Sequence, residues 1–545
     1  MKRFIAAVCS TIFLSSVNVT GAENILEVSL DELENLPVSD KFYTARGSEN
    51  DNTFRFYVDK ASETASLYLL SGSGSDKSDV KIPSFIKLNG KIYSVSYIGN
   101  YENIYDKDFE SYINSVLTPD RNIFIDENIF NSVTIPNTVK GIGMDLTLSA
   151  VRCNRFLLED TNEYFVEDDG VIYSPDYSVA YLFPSRKEDT YISPQSVKML
   201  KPGIFTTATA PICLQNEIST IPYETFIQAF PLSSESKSNN AGIYISSGIK
   251  SIGESAFAFT TTPFLCDGIE TIGKYAFEYG DFYPYMHETP HFFTSVERQE
   301  ILLPESIKEI GDYAFYNRWR RKEVDYLNVV PSIKKIFFLS ATPPIMGEHS
   351  LPEPLIPEYA DEELKQEILD KVFDTTIFVP ADAIENYEAL KTKGIINEAI
   401  KISPLPDYIY VGSIPGIKPW NQGQSTLSYQ AYELGDEKIE SVEWIVDNHS
   451  IASVDSEGNI TALQEGTVNV SFVITGTSGQ KYSSQKLPLK ITDKIVSGID
   501  AIESDKITDI SGVFNLHGIR VADSPEGLPK GIYIYKGKKL VVRNY

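Results

Sequence analysis

A short block recurs through the middle of this chain. That repetition constrains the fold more than any other feature, because self-similarity at a period of a few tens of residues is the signature of stacked units. The block is an apolar strand, often a proline, then a β-branched residue, two spacers, an aliphatic and commonly glycine. It is most complete in Ile245-Ser-Ser-Gly-Ile249-Lys-Ser-Ile252-Gly253-Glu-Ser-Ala256-Phe257. It returns as Ile269-Glu-Thr-Ile272-Gly273-Lys-Tyr-Ala276-Phe277 and as Leu303-Pro304-Glu-Ser-Ile307-Lys-Glu-Ile310-Gly311-Asp-Tyr-Ala314-Phe315. Weaker copies are Val95…Ile98-Gly99, Ile135-Pro136…Val139…Ile142-Gly143, Pro194…Val197…Leu200…Phe205 and Ile333…Ile336. Two aliphatics three apart on a curving backbone both face a stacked core, so Ile252, Ile272 and Ile310 are expected in one continuous buried ladder. Glycine is expected to permit the turn that follows, where a Cβ would clash. Alanine lets neighbouring coils approach, and phenylalanine fills the space beside it. Ile272 follows Ile252 by 20 positions and Ile310 follows Ile272 by 38, so loops such as Asp281 to Arg298 interrupt the array.

The rest of the chain agrees with a strand-rich, multi-part protein. Its 545 residues exceed what one hydrophobic core organises, and Tyr 32 and Phe 29 against Met 5 favour strands over helical bundles. A formal charge of −27 argues against nucleic acid as the main ligand and against charge-driven docking on anionic lipid. Lys2 and Arg3, the apolar stretch Phe4 to Leu14 and the small residues Thr20-Gly21-Ala22 read as a secretory signal over residues 1–22, cleaved before Glu23. No later segment is apolar for long enough to span a bilayer. Cys153, Cys213 and Cys266 then remain, too scattered for a disulfide framework or a metal site, and are expected as buried small side chains.

Leu303 to Phe315 closely resembles the BspA-like leucine-rich repeats of bacterial surface proteins. Lys81 to Gly99 is similar to the usual entry into such an array, and Asp169-Gly-Val-Ile-Tyr-Ser174 with Tyr181-Leu-Phe-Pro184 is similar to its inserted hairpin. Ala341-Thr-Pro-Pro344, Thr376-Ile-Phe-Val-Pro380 and Tyr387 resemble the exit. The resemblance implies a solenoid over residues 81–405, preceded by an N-terminal β cap over 23–80. In the exit region, Leu364, Ile368, Leu369, Val372 and Phe373 have helical spacing, and Asp382 with Glu385 forms a capping-box pattern for a second helix. Both helices are expected as a cap on the last repeat, with a partner-binding helix as the alternative.

Composition shifts after Pro404-Leu-Pro406. Val468, Val470, Phe472 and Ile474 alternate with Asn469, Ser471 and Val473, a strand with one buried face. Glycine-bearing turns at regular intervals indicate a small antiparallel sandwich. The order Trp444, Asp447-Asn448, Val454-Asp455, Gly458, Thr461-Ala462, Gly466-Thr467 resembles the group 2 bacterial Ig-like domain, here over 406–494, with Trp444 expected in its core. The last part, 495–545, offers two hairpins, about His517-Gly518 and about Lys536-Gly537. It resembles the C-terminal sorting segments recognised by type IX secretion machinery; the alternative is a pair of hairpins completing the Ig-like module. The expected fold is therefore mainly β: an irregular leucine-rich-repeat solenoid, an Ig-like β-sandwich and a small C-terminal β segment.

Chemistry is sparse. His287-Glu288-Thr289-Pro290-His291 satisfies HExxH, but Pro290 interrupts the helix that would put both imidazoles on one face. No metal is expected there, and no cofactor elsewhere, since no GxSxG, phosphate loop, Cys-His pairing or DxDxDG run occurs. An enzyme is therefore not expected. Arg318, Trp319, Arg320 and Arg321 form the most unusual cluster of an acidic chain and are the expected binding residues, since arginine and tryptophan dominate binding hot spots. The alternative is a local counter-charge for nearby acids. The expected protein is exported, cell-surface or secreted, and monomeric, and adhesion is what the resemblance implies. It would recognise a host or bacterial surface macromolecule, protein ahead of glycan. The second reading is a carbohydrate-binding accessory protein that stacks sugars on exposed aromatics, and a zinc-dependent hydrolase is a distant third.

Overall fold

The computed structural model describes residues 25–30, 42–50, 52–72, 78–100, 130–149, 151–160, 162–215, 217–227, 229, 242–258, 260, 262–278, 300–316, 333–354, 356, 359–371, 373–412, 414, 423–491, 513–514, 520–522, 531–535 and 538–542. The signal sequence, His287 and His291 lie outside them. The chain divides into two units, Met1–Ile495 and Val496–Tyr545.

The first unit opens with a closed sheet. Strands Thr64–Gly72, Asn52–Asp59, Phe42–Glu49, Ile25–Leu30, Phe85–Leu88 and Lys91–Ile98 pair in that order, and Thr64–Gly72 also pairs parallel with Lys91–Ile98. Closure leaves these strands no free edge in the ring, which is one way a β structure avoids edge-to-edge aggregation. Phe54, Phe56, Val58, Leu67, Ile86 and Val95 are buried within it. Lys91–Ile98 passes the sheet on by pairing parallel with Gly141–Ile142, the first step of the solenoid.

From there the coils contribute short parallel strands to two sets of sheets. On one flank, Thr220–Ile221, Ser251–Ile252, Thr271–Ile272, Glu309–Ile310 and Ile345–Met346 form a five-stranded strip with Ile221, Ile252, Ile272, Ile310 and Met346 in register. On the other, Tyr191–Ile192, Ile212–Cys213 and Ile243–Tyr244 pair, and so do Glu300–Leu303, Lys335–Phe338, Thr376–Val379 and Lys401–Pro404. Strands this short have no stability of their own; the stack holds them. Ile252, Ile272 and Ile310 are each at most 2% exposed, so the expected ladder is present. Beside it, Phe226, Phe257, Phe277 and Phe315 stack with centroids 4.9, 5.2 and 5.0 Å apart and planes within 7° of parallel. Each such pair contributes about 0.5–1.5 kcal/mol beyond the area it buries.

Glycine serves a different purpose from the one its place in the block indicates. A Cβ on Gly273 would lie 2.6 Å from the backbone carbon of Gly253, and one on Gly311 would lie 2.7 Å from the Lys274 nitrogen. These positions are bare because the preceding coil's backbone occupies the space. The left-handed turn falls two residues later, at Ser255, Tyr275 and Tyr313, with φ of 53°, 55° and 56°.

The inserted hairpin is Val166–Asp168 with Val171–Tyr173, turning at Asp169 and Gly170 with positive φ. In the exit region, helix α1 (Glu362–Lys371) has the Leu364 N–H bonded to the Asp361 carboxylate at 2.9 Å. Helix α2 (Ile384–Thr392) lacks the expected capping box: its N-cap is Ala383, with no side-chain cap, and Asp382 lies in a preceding 3-10 turn, Ala381–Ala383. Tyr387 of α2 is fully buried, its hydroxyl donating to the Ser340 carbonyl at 3.0 Å. This helix joins two parallel strands of the second flank, Thr376–Val379 and Lys401–Pro404, and so extends the solenoid core while covering its end.

The strands that follow are antiparallel. Ile439–Val446, Gly466–Gly476, Lys481–Ser483 and Leu487–Ile491 form one sheet, and Gln424–Thr426, Asn459–Ala462 and Ala452–Val454 form a second. Val468, Val470, Phe472 and Ile474 are fully buried, as their alternation requires. Trp444 differs from expectation: it is half-buried, packed edge-on against Phe472 at 5.4 Å, with the exposed Tyr429 beyond it. In the second unit, Arg520–Ala522, Val513–Phe514, Gly531–Tyr535 and Lys538–Val542 form one antiparallel sheet, in which Val513–Phe514 pairs with Arg520–Ala522 and Gly531–Tyr535 with Lys538–Val542; His517-Gly518 and Lys536-Gly537 lie outside the described residues.

Candidate binding face of the solenoid

The two flanks of the solenoid have different neighbours. The Ig-like module folds back along the flank that carries Tyr191–Ile192, Ile243–Tyr244 and Glu300–Leu303. Phe264 lies between Tyr410 and Tyr432 at 5.7 and 5.4 Å, and the Gln430 amide donates to the Cys266 sulfur at 2.6 Å. The hydroxyls of Tyr408 and Tyr410 donate to the Glu300 carboxylate and carbonyl at 3.1 and 3.2 Å. Farther along, Thr190 bonds the Pro488 carbonyl, Lys490 pairs with Asp189, and the Tyr244 hydroxyl reaches the Lys486 carbonyl at 3.4 Å. The module is thus a cover over several coils.

The five-stranded strip carries a trough of about 500 Å3. Gly253, Gly273, Gly311 and Gly347 contribute to its lining, so its floor is backbone kept bare by close packing. Side chains reaching it include Ser251, Thr271, Lys274, Glu309, Asp312 and the 73%-exposed Ile345. The Thr271 hydroxyl donates to the Ser251 oxygen at 2.9 Å, and the Glu348 N–H donates to the Asp312 carboxylate at 2.8 Å.

An aromatic row runs beside the trough on the left-handed turns. Tyr275 and Tyr313 stack at 5.2 Å, Tyr313 and His349 at 5.1 Å, with interplanar angles of 19° and 29°. Tyr316 packs edge-on to Tyr313, and His349 Nδ1 lies 2.9 Å from the Glu353 carboxylate. The rings lie face to face, so the row presents edges to solvent rather than a flat shelf. The recurring tyrosine two places before phenylalanine, in Tyr275-Ala-Phe277 and Tyr313-Ala-Phe315, is the sequence signal that marks this row.

Arg318, Trp319, Arg320 and Arg321 lie outside the described residues and begin two positions after Tyr316. Among the described residues no group of three or more His, Cys, Asp or Glu is placed to hold a metal ion, and no helix is long and apolar enough to cross a membrane. Cys153, Cys213 and Cys266 are buried and free; burial pushes the Cys266 thiol up to about 12, so it is not a thiolate at neutral pH.

A family model described as a BspA type leucine rich repeat region matches in six copies over residues 219–282 and 289–345. A model described as a bacterial Ig-like domain (group 2) matches residues 420–484. Both are similarities to domains typical of binding and surface proteins. No curated protein is similar in sequence. Among solved structures, the pneumococcal vaccine antigen PcpA aligns at 14% identity over 66% of this chain and 98% of that one, with a TM-score of 0.31. A leucine-rich repeat protein from Eubacterium ventriosum aligns at 15% identity over 57% and 95%, with a TM-score of 0.25. The fold is mainly β, a leucine-rich-repeat solenoid followed by an Ig-like sandwich and a small C-terminal β segment.

Proposed function

We propose that this chain is an exported surface protein that binds another macromolecule through its solenoid and catalyses nothing. The observation that carries the reading is the asymmetry of the two flanks among the described residues: one is covered by the chain's own Ig-like module, and the other runs open across five coils. A surface continuous over many coils suits an extended partner better than a small substrate. The repeat similarity favours the cell surface, reached through the signal before Glu23. The self-contained sheet within Val496–Tyr545 is compatible with a sorting segment of the type IX kind. A protein partner is favoured over glycan because the aromatic row offers edges, and Arg318, Trp319, Arg320 and Arg321 join the reading as a second contact region.

The test is a panel of purified matrix and bacterial surface proteins beside a glycan array, probed with the chain from Glu23 onward. Saturable binding to a protein is expected, weakened by Trp319→Ala with Arg320→Ala and Arg321→Ala at an unchanged melting temperature. Binding to glycans alone would move the reading to a carbohydrate-binding protein. Binding to neither would remove it.

A further inference from the structure

We infer that the glycine-floored trough docks an extended, cationic polypeptide segment. This deepens the binding reading above and rests on it. Charge is the first argument. Lys308 Nζ lies 2.5 Å from Glu270, and Lys308 and, more weakly, Lys250 hold the Glu270 carboxyl below its ordinary range. Lys274 Nζ sits over the Tyr275 ring at 5.0 Å. Against Lys274, the lysine of the trough lining, stand the carboxylates of Glu309 and Asp312. Glu309 stands exposed at the trough, and Glu254 and Glu348, which follow Gly253 and Gly347 as Lys274 follows Gly273, are exposed as well. A cationic segment therefore meets carboxylates along the open strip.

Shape is the second argument. Neighbouring strands lie about 4.8 Å apart, so the glycine floor runs for roughly 15 Å, the length of about four residues of extended chain. A bare backbone floor admits a main chain closely, as no set of side chains does. The backbone N–H groups there are already bonded, Gly273 to the Ile252 carbonyl and Gly311 to the Ile272 carbonyl at 2.8 Å, so recognition runs through side chains rather than added β-pairing. The third argument is what the rim withholds. With Tyr275, Tyr313 and His349 stacked on one another, no row of open ring faces is presented to sugars.

The probe is a fluorescein-labelled decapeptide of alternating lysine and threonine, with a glutamate–threonine counterpart and a neutral oligosaccharide as controls, titrated against the full chain by anisotropy. The cationic peptide is expected to bind saturably and to weaken severalfold between about 50 and 300 mM salt. Thr271→Trp, which fills the trough without changing charge, and separately Glu254→Gln with Glu309→Gln and Glu348→Gln, should each weaken it about tenfold or more at the parental melting temperature. Equal binding to Thr271→Trp would show that charge attracts the peptide elsewhere and would overturn the inference. So would preferential binding of the oligosaccharide or the anionic peptide. A panel protein bound with undiminished affinity by both trough variants would leave the chain a binding protein while removing the trough as its site.

Discussion

Lys201 carries a charge into the solenoid core. Its side chain is fully buried, and Nζ donates to the Thr147 carbonyl at 2.8 Å and the Ser149 hydroxyl at 3.1 Å. Burial lowers its pKa to about 8, against the opposing pull of Asp145, whose own carboxylate accepts the Asn100 and Thr147 N–H groups. The unfolded lysine, with an ordinary value of 10.5, binds more protons than the folded one between pH 8 and 10.5. Stability from this group therefore rises with pH across that window. Buried Tyr173, Tyr191 and Tyr244, pushed up by burial, act oppositely above their ordinary value of 10, where only the unfolded phenols ionise. Urea unfolding at pH 7.5 and 9.5 should show the parent gaining about 2 kcal/mol relative to Lys201→Met, which is less stable at both because Asp145 loses its cation. Parallel curves would mean that Lys201 does not titrate there. Nothing in the local sequence marks this lysine: in Leu200-Lys201-Pro202-Gly203 it occupies an ordinary turn position, and its burial depends on the coil around Thr147.

At the scale of elements, two-residue strands endure because each ladder position repeats its own chemistry in the next coil. Phe277 lies between Phe257 and Phe315, at 5.2 and 5.0 Å, and is 1% exposed. Phe277→Ala should cost about 3–5 kcal/mol in denaturant unfolding, while Tyr275→Ala on the surface row should cost far less. Equal losses would make the core stack no more important than the surface one. The same logic explains a coil that block-matching passes over. Ile218, Ile221 and Phe226 are buried in their ladders although Pro222 and Thr225 replace glycine and alanine. Thr220–Ile221 is the edge strand of its strip, and proline is tolerated beside an edge strand. The capping-box pattern at Asp382 failed for the converse reason: the chain entering α2 makes a 3-10 turn after Pro380, which starts the helix one residue beyond the box.

For the molecule as a whole, the contact between the Ig-like module and the solenoid makes one body of two sequence regions. Phe264 is 5% exposed, and a Cβ on Gly412 would lie 2.5 Å from its ring. Phe264→Ala combined with Tyr432→Ala should split a shared calorimetric transition into separate ones for solenoid and module; a single transition at the parental width would argue that the contact does not couple them. Repeats, strand alternation and hairpin turns were determined by the sequence alone, because each is set by residues a short, regular distance apart that meet their own equivalents. Ile252, Ile272 and Ile310, or Val468, Val470 and Phe472, have their environment written into their spacing. The closed N-terminal ring, the burial of Lys201 and the docking of Gln430 on Cys266 join positions with no period between them. Side chains of unremarkable composition decide those contacts only once shape brings them together, and that is why the open flank, and with it the candidate site, emerged from the tertiary structure.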